Sequence, residues 1–318
     1  MAERQSGGLT RVALALSLVV CAAGGVLLWL VLTSGGAQAP EAVEPVEQKL
    51  KSKSFDEYSW EELAHVARLV ADADSDAEGR ATAEKYNVAV GDTRSLPLAD
   101  GHTAALTVVG IRVDERSDGS GKAGLSLMAS PIARRPMNDE GTNAGGWEAS
   151  DLRAWLADDG RSLLPDELSD AIVSVVKRTN NVGVTADAAA VTETDDELWL
   201  FSASEVCGDP GWFAAEYGAE PNPHTGYVDF TVYDALIAAE GTQYEYFRAA
   251  GVSGSSDPSG ALALTYGGAE TSWWYRTAYP YSFTGEDAAY FYQVMASGYP
   301  STTSLASEPA GVVVGLCL

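Results

Sequence analysis

The 318-residue sequence predicts an α+β fold behind a single N-terminal transmembrane helix and a small helical hairpin. Three observations carry this: an uncharged apolar run near the N-terminus, apolar residues at helical spacing over 55–86, and short β-like runs from Asn87 onward. Those runs are separated by Gly, Asp and Ser and joined by long irregular stretches, the pattern of a mixed domain with short strands and long loops.

Val12 to Leu32 is 21 residues without a charge, and at ~1.5 Å per helical residue it matches the ~30 Å hydrocarbon core. Arg4 and Arg11 precede it, while Glu41, Glu44 and Glu47 follow before the first base, Lys49. The positive-inside bias then places residues 1–11 in the cytoplasm, 12–32 in the cell membrane as a single pass, and the C-terminal domain outside the cell. Ala37-Gln38-Ala39 resembles a signal-peptidase site, but Pro40 would follow the cut and the apolar run is too long for a signal peptide, so a retained anchor is expected. Cys21 reads as an ordinary membrane residue.

Residues 33–54 show no apolar periodicity and read as a flexible linker. Ser59-Trp60-Glu61-Glu62 has the capping-box pattern, and Trp60, Leu63, Val66, Ala67 and Val70 continue at helical spacing. A second helix is predicted over Ala77–Tyr86, completing a hairpin at 55–86. The mixed domain occupies 87–318. Within it Ala105–Val113 and Ala123–Ser130 read as a β-hairpin around Asp118-Gly119-Ser120-Gly121. Ser150 is a candidate N-cap for a helix at 150–157 that buries Leu152, Trp155 and Leu156, and Trp147, Arg153 and Trp199 join them as candidate structural residues. Leu163–Val176 is predicted as a helix burying Leu168, Ile172, Val175 and Val176. Leu198–Phe201, Tyr290–Ala296 and Gly311–Leu318 are predicted strands; Val232–Glu240 and Tyr244–Ala250 are predicted helices in an otherwise irregular stretch.

The net charge of −25 argues against nucleic acid, because phosphate binding needs clustered Lys and Arg. Cys207 and Cys317 both fall in the segment expected outside the cell, where a disulfide is chemically feasible, and spacing leaves their pairing open.

The sequence W-x-x-S-x-L-R-x-W-L at Trp147–Leu156, D-x-L-W-L-x-S at Asp196–Ser202, W-W-x-R at Trp273–Arg276 and the closing Gly-Val strand at Gly311 resemble an uncharacterised family of bacterial exported domains. That resemblance spans about Asn87–Leu318 and implies a C-type-lectin-like fold, distantly similar to formylglycine-generating enzymes. Tyr275, Thr277 and Val313 depart from the family spelling, in which the last strand commonly reads G-V-R-P-A.

Motifs for chemistry are thin. Gly119-Ser120-Gly121-Lys122-Ala123-Gly124 fits G-x-G-x-x-G but precedes a strand, so it reads as a hairpin turn and not as a phosphate cradle. Asp114-x-Arg116-x-Asp118 puts a base at a calcium-ligand position. Glu220-Pro221-Asn222 is similar to the calcium and sugar motif of C-type lectins but lacks its downstream partner. His65, His102 and His224 are far apart, and no zinc or serine-hydrolase pattern occurs, so neither metal nor cofactor is expected. An enzyme using carboxylates near Asp195 and Glu205, or Cys317, is the alternative, and a purely structural envelope module a third reading.

The most informative feature is the aromatic run from Tyr266 to Tyr299. Consecutive strand residues face opposite ways, so Trp273 and Trp274 need two different layers, or a layer and a ligand. Arg276 suits a structural ion pair or a stack on an indole. Trp273, Trp274, Arg276, Tyr279 and Tyr281 form the candidate ligand-binding face, for a surface glycan or a protein ligand, in a domain expected to recognise ligands without catalysis.

Overall fold

Ser59 opens the first α-helix among the described residues: its Oγ accepts the Glu62 amide at 3.1 Å, and the Glu62 carboxylate accepts the Ser59 amide at 3.0 Å. This and all that follows is read from a computed structural model that describes residues 50–255, 259–284 and 288–318. Helix α1 (Trp60–Ala71) buries Leu63, Val66, Ala67 and Val70, and α2 (Asp76–Lys85) starts at Ser75, whose hydroxyl accepts the Glu78 amide. Arg112 donates to the Val70 and Ala71 carbonyls and so satisfies acceptors that the end of α1 leaves open. The hairpin is therefore integral to the domain, and Lys51–Leu318 is one compact unit.

The strands follow in order: β1 (Thr93–Pro97), β2 (Thr103–Ile111), β3 (Leu125–Ala129) and the short β4 (Arg134–Arg135). Helices α3 (Asp151–Trp155) and α4 (Asp166–Ser169) lead to β5 (Val175–Asn180), β6 (Val191–Asp196) and β7 (Leu198–Leu200). Four further helices come next, α5 (Ala203–Cys207), α6 (Trp212–Tyr217), α7 (Thr231–Ala238) and α8 (Glu245–Ala249). The chain closes with β8 (Leu264–Tyr266), β9 (Ala269–Thr271), β10 (Trp273–Ala278), β11 (Tyr290–Val294), β12 (Thr302–Leu305), β13 (Ala310–Gly311) and β14 (Val314–Cys317).

Two five-stranded sheets organise these elements, one ordered β1-β2-β3-β14-β7 and the other β12-β11-β10-β13-β4. Pairing is antiparallel throughout except for β10 with β13. The run Gly311-Val312-Val313-Val314 passes from the second sheet to the first, and Val312, Val313 and Val314 are fully buried. Residues branched at Cβ suit a segment enclosed on every side. Gly315 follows because β14 crosses the Trp199 indole there; a Cβ would fall 2.7 Å from Cζ2 and closer still to Cε2 and Nε1.

Two expectations are corrected, and the pairing of Cys207 and Cys317, which spacing left open, is answered. Val12–Leu32, the expected membrane helix, lies outside the described residues, as do residues 1–11 and most of the linker. Among the described residues no helix is long and apolar enough to cross a membrane. The fold class is accordingly α+β with several sheets, without a membrane-spanning helix among its described elements. The helix expected over Leu163–Val176 shrinks to α4, and Val175 and Val176 instead begin β5, paired with Asp196 and Asp195 of β6. Cross-strand pairing overrides a helical periodicity that four apolar residues satisfied by chance. Cys207 and Cys317 form no disulfide: both thiols are free and buried.

Candidate functional site

Strand β10 resolves the two-tryptophan problem with two layers of protein. Trp273 and Tyr275 enter an aromatic core shared with Phe201, Trp212, Phe213, Tyr244, Phe247 and Tyr292. Trp274 projects the other way, and its indole N–H donates to the Arg135 carbonyl at 2.9 Å, while that of Trp273 reaches the Leu262 carbonyl at 2.9 Å. Both indoles and Arg276 are fully buried, so these three members of the expected ligand face belong to the interior.

Arg276 anchors a buried polar cluster. Its Nη1 and Nη2 donate to Glu205 at 2.5 and 3.0 Å, Nε donates to Thr179 Oγ1 at 2.8 Å, and the remaining donors reach the Leu200, Arg178 and Glu240 carbonyls. Lys177 Nζ donates to Asp114, to Glu205 at 3.2 Å and to Tyr244 at 2.8 Å, and sits 4.0 Å from the Trp199 ring centroid. Every donor of the two bases has a partner, which is the condition for tolerating charge in an apolar interior. Burial by itself would raise the carboxyls of Asp114 and Glu205; Lys177 beside the first and Arg276 beside the second outweigh it and hold both below their ordinary values. Glu240 is different: burial pushes it up to about 7 despite Arg276 nearby, and its oxygens accept the Asn180 amide and the Thr277 hydroxyl.

The other sequence signatures are structural too. The Trp147 indole N–H and Arg153 Nε both reach Asp196, at 3.1 and 2.6 Å, so the Trp147–Leu156 and Asp196–Ser202 motifs meet at one carboxylate. Ser150 accepts the Arg153 amide at 3.1 Å, and Ser202 and Glu205 cap α5 reciprocally. Trp147, Leu152 and Trp199 are buried, whereas Trp155 is half-buried under the Arg135 guanidinium, 4.8 Å from its ring centroid. Asp195 lines a 390 Å³ cavity in which Arg153 pairs with Asp196 and Arg161 with Glu197. Glu205 belongs to the enclosed cluster, so the two carboxylates do not share a site. Asn222, of the Glu220-Pro221-Asn222 tripeptide, uses its side-chain oxygen to accept the His224 and Thr225 amides.

Only Tyr279 and Tyr281 of the expected face approach solvent. Tyr281 packs edge-on against Phe230, Tyr233 and Phe283. Tyr279 lines a 570 Å³ cleft between α6 and the edge strand β12, together with Trp212, Phe213, Glu216, Tyr217, Tyr292, Tyr299, Ser301, Thr302 and Thr303. Its rings meet at an angle: Trp212 and Tyr292 are 4.7 Å apart at 39°, and Tyr279 and Tyr292 are 5.5 Å apart at 55°. Gly211, with φ +58°, turns the chain into α6, and the Asp234 carboxylate of α7 accepts the Phe213 and Ala214 amides at 2.9 and 2.7 Å, capping α6 from a neighbouring helix. The Trp212 indole N–H is held by the Gly254 carbonyl at 2.8 Å, which fixes the cleft floor.

Sequence reasoning missed α6. Trp212, Phe213, Glu216 and Tyr217 stand at i, i+1, i+4 and i+5, a helical signal shortened by Gly211 and Gly218.

Residues 124–318 match a family described as a domain of unknown function (DUF6273). Neither curated proteins nor solved structures give a match, so the likeness to C-type lectins and formylglycine-generating enzymes gains no support. The matched span begins one residue before β3, yet β1 and β2 extend the same sheet and Asp114 completes the buried cluster from outside it. With well over half of its length covered by that match, the chain belongs to this family of domains of unknown function.

Proposed function

We propose that this domain is a non-catalytic recognition module whose ligand seats in the cleft between α6 and β12. The observation that carries it is the lining of the 570 Å³ cleft: Tyr217, Tyr279 and Tyr299 stand partly exposed over the buried rings of Trp212, Phe213 and Tyr292, with Ser301, Thr302 and Thr303 along one wall. Rigid rings offer contact area at low conformational cost, and a few polar groups at the edge orient what binds. The groups that chemistry would use are otherwise engaged. Glu205 is bonded to two bases, and burial raises the Cys317 thiol well above its ordinary value, which disfavours the nucleophilic thiolate. The ligand is one with an apolar face and a polar edge, such as a sugar ring or an aliphatic amine displayed on an envelope polymer or protein.

Saturation-transfer NMR against a panel of neutral sugars, amino acids and alkylammonium salts tests this. At least one class should bind, and Tyr279→Ala combined with Tyr299→Ala should abolish its signal without changing the far-UV circular dichroism. Binding that survives both substitutions, or no binding across the panel, refutes the proposal.

A further inference from the structure

We infer that the ligand of this cleft carries a positively charged alkylammonium group; this rests on the recognition reading above. Three features converge on a cation. Among the described lining residues Glu216 is the one charged side chain, and no lysine or arginine stands with it. After burial, its charge is among the causes that push the phenols of Tyr217, Tyr279 and Tyr292 up, so its field extends across the aromatic wall. Three phenol rings, those of Tyr217, Tyr279 and Tyr299, reach the cleft partly exposed, and Tyr279 is inclined by 55° to the buried Tyr292 ring behind it, so the lining is not a single flat platform.

A sugar stacks best on one flat ring, whereas a tetrahedral ammonium presents polarised methyl groups to several inclined faces at once. Each ring face carries the negative lobe of its quadrupole, and Glu216 supplies a full counter-charge at the rim. Burial pushes the phenols of Tyr217, Tyr279 and Tyr292 further above their ordinary values, so these rings stay neutral and no phenolate replaces the cation–π contact. The net charge of −25 steers cations toward the molecule and repels anionic competitors.

Calorimetric titration of the full chain with choline and with its neutral isostere 3,3-dimethylbutan-1-ol, at matched ionic strength, separates charge from shape. Choline should saturate at least about tenfold more tightly than the isostere, since a desolvated cation–π contact and its counter-ion are worth a factor of that order. Glu216→Gln should weaken choline several-fold and leave the isostere unchanged, while Tyr299→Ala should weaken both. Equal or tighter binding of the neutral isostere overturns the inference, as does choline binding indifferent to Glu216→Gln. If neutral sugars bind the cleft and choline does not, the cation inference fails and the recognition reading stands; if no panel member binds, both fail.

Discussion

Replacing Glu205 by glutamine tests whether the interior is held by charge balance. In the folded protein Glu205 is 5% exposed and faces Arg276 at 0% and Lys177 at 2%. The amide keeps the volume but removes the counter-charge from both bases, leaving Asp114 alone to balance two buried cations. Breaking a buried pair from one side costs roughly 3–5 kcal/mol, a large part of a typical 5–15 kcal/mol stability. The loss should be larger at pH 6 than at pH 8, because Glu240, whose carboxyl the Glu205 charge helps to raise, ionises beside Arg276 in its place as pH rises. Urea unfolding at pH 6 and pH 8 measures this, with Arg116→Ala as control: its long contact to the exposed Asp118 is worth about 0–1 kcal/mol. A Glu205→Gln variant within about 1 kcal/mol of the parent at pH 6 would refute the reasoning.

Glu240 itself makes stability depend on pH. Its folded value of about 7 lies above the ordinary 4.5, so its contribution is fully present below pH 4.5 and is lost as pH rises through 7. Unfolding titrations across that window should show stability falling by about 3 kcal/mol, and Glu240→Gln should flatten the slope. Cys207, pushed up to about 12 by burial, and Cys317, raised well above its usual value, should both resist iodoacetamide at pH 8 in the folded protein and react in denaturant, as peptide mapping would show. Labelling of either thiol at the rate of a free peptide would contradict their burial. Gly315→Ala should destabilise by about 1–3 kcal/mol because the added methyl meets the Trp199 ring, and a neutral effect in thermal unfolding would show that β14 does not cross the indole as described.

What the sequence made legible was local. Ser59 and Ser150 marked helix starts because a capping hydroxyl acts within three residues, and the β2–β3 hairpin was readable from its turn and its branched flanks. Arg276 was rightly suspected of an ion pair, but its partner Glu205 lies 71 residues away and no spacing announces it. Long-range pairing also undid the Leu163–Val176 helix, since β5 exists only because β6 lies beside it. The candidate site was half legible. Aromatic density between Tyr266 and Tyr299 pointed to the right neighbourhood, and Tyr279 does line the cleft. Trp273 and Trp274 looked equally available because a sequence cannot show that β10 is covered on both faces. The opposite wall, Trp212 to Tyr217, sits on a six-residue helix too short to build a strong period and capped by Asp234 from another element.

Hydrogen exchange of the full chain, with and without saturating amounts of the panel member that binds most tightly, tests the recognition cleft most directly. The account predicts slowed exchange in Trp212–Tyr217, Tyr290–Val294 and Thr302–Leu305, with Arg153–Arg161 and Asp195–Leu198 around the second cavity unchanged. Protection confined to that second cavity, or no protection anywhere at saturation, would contradict it.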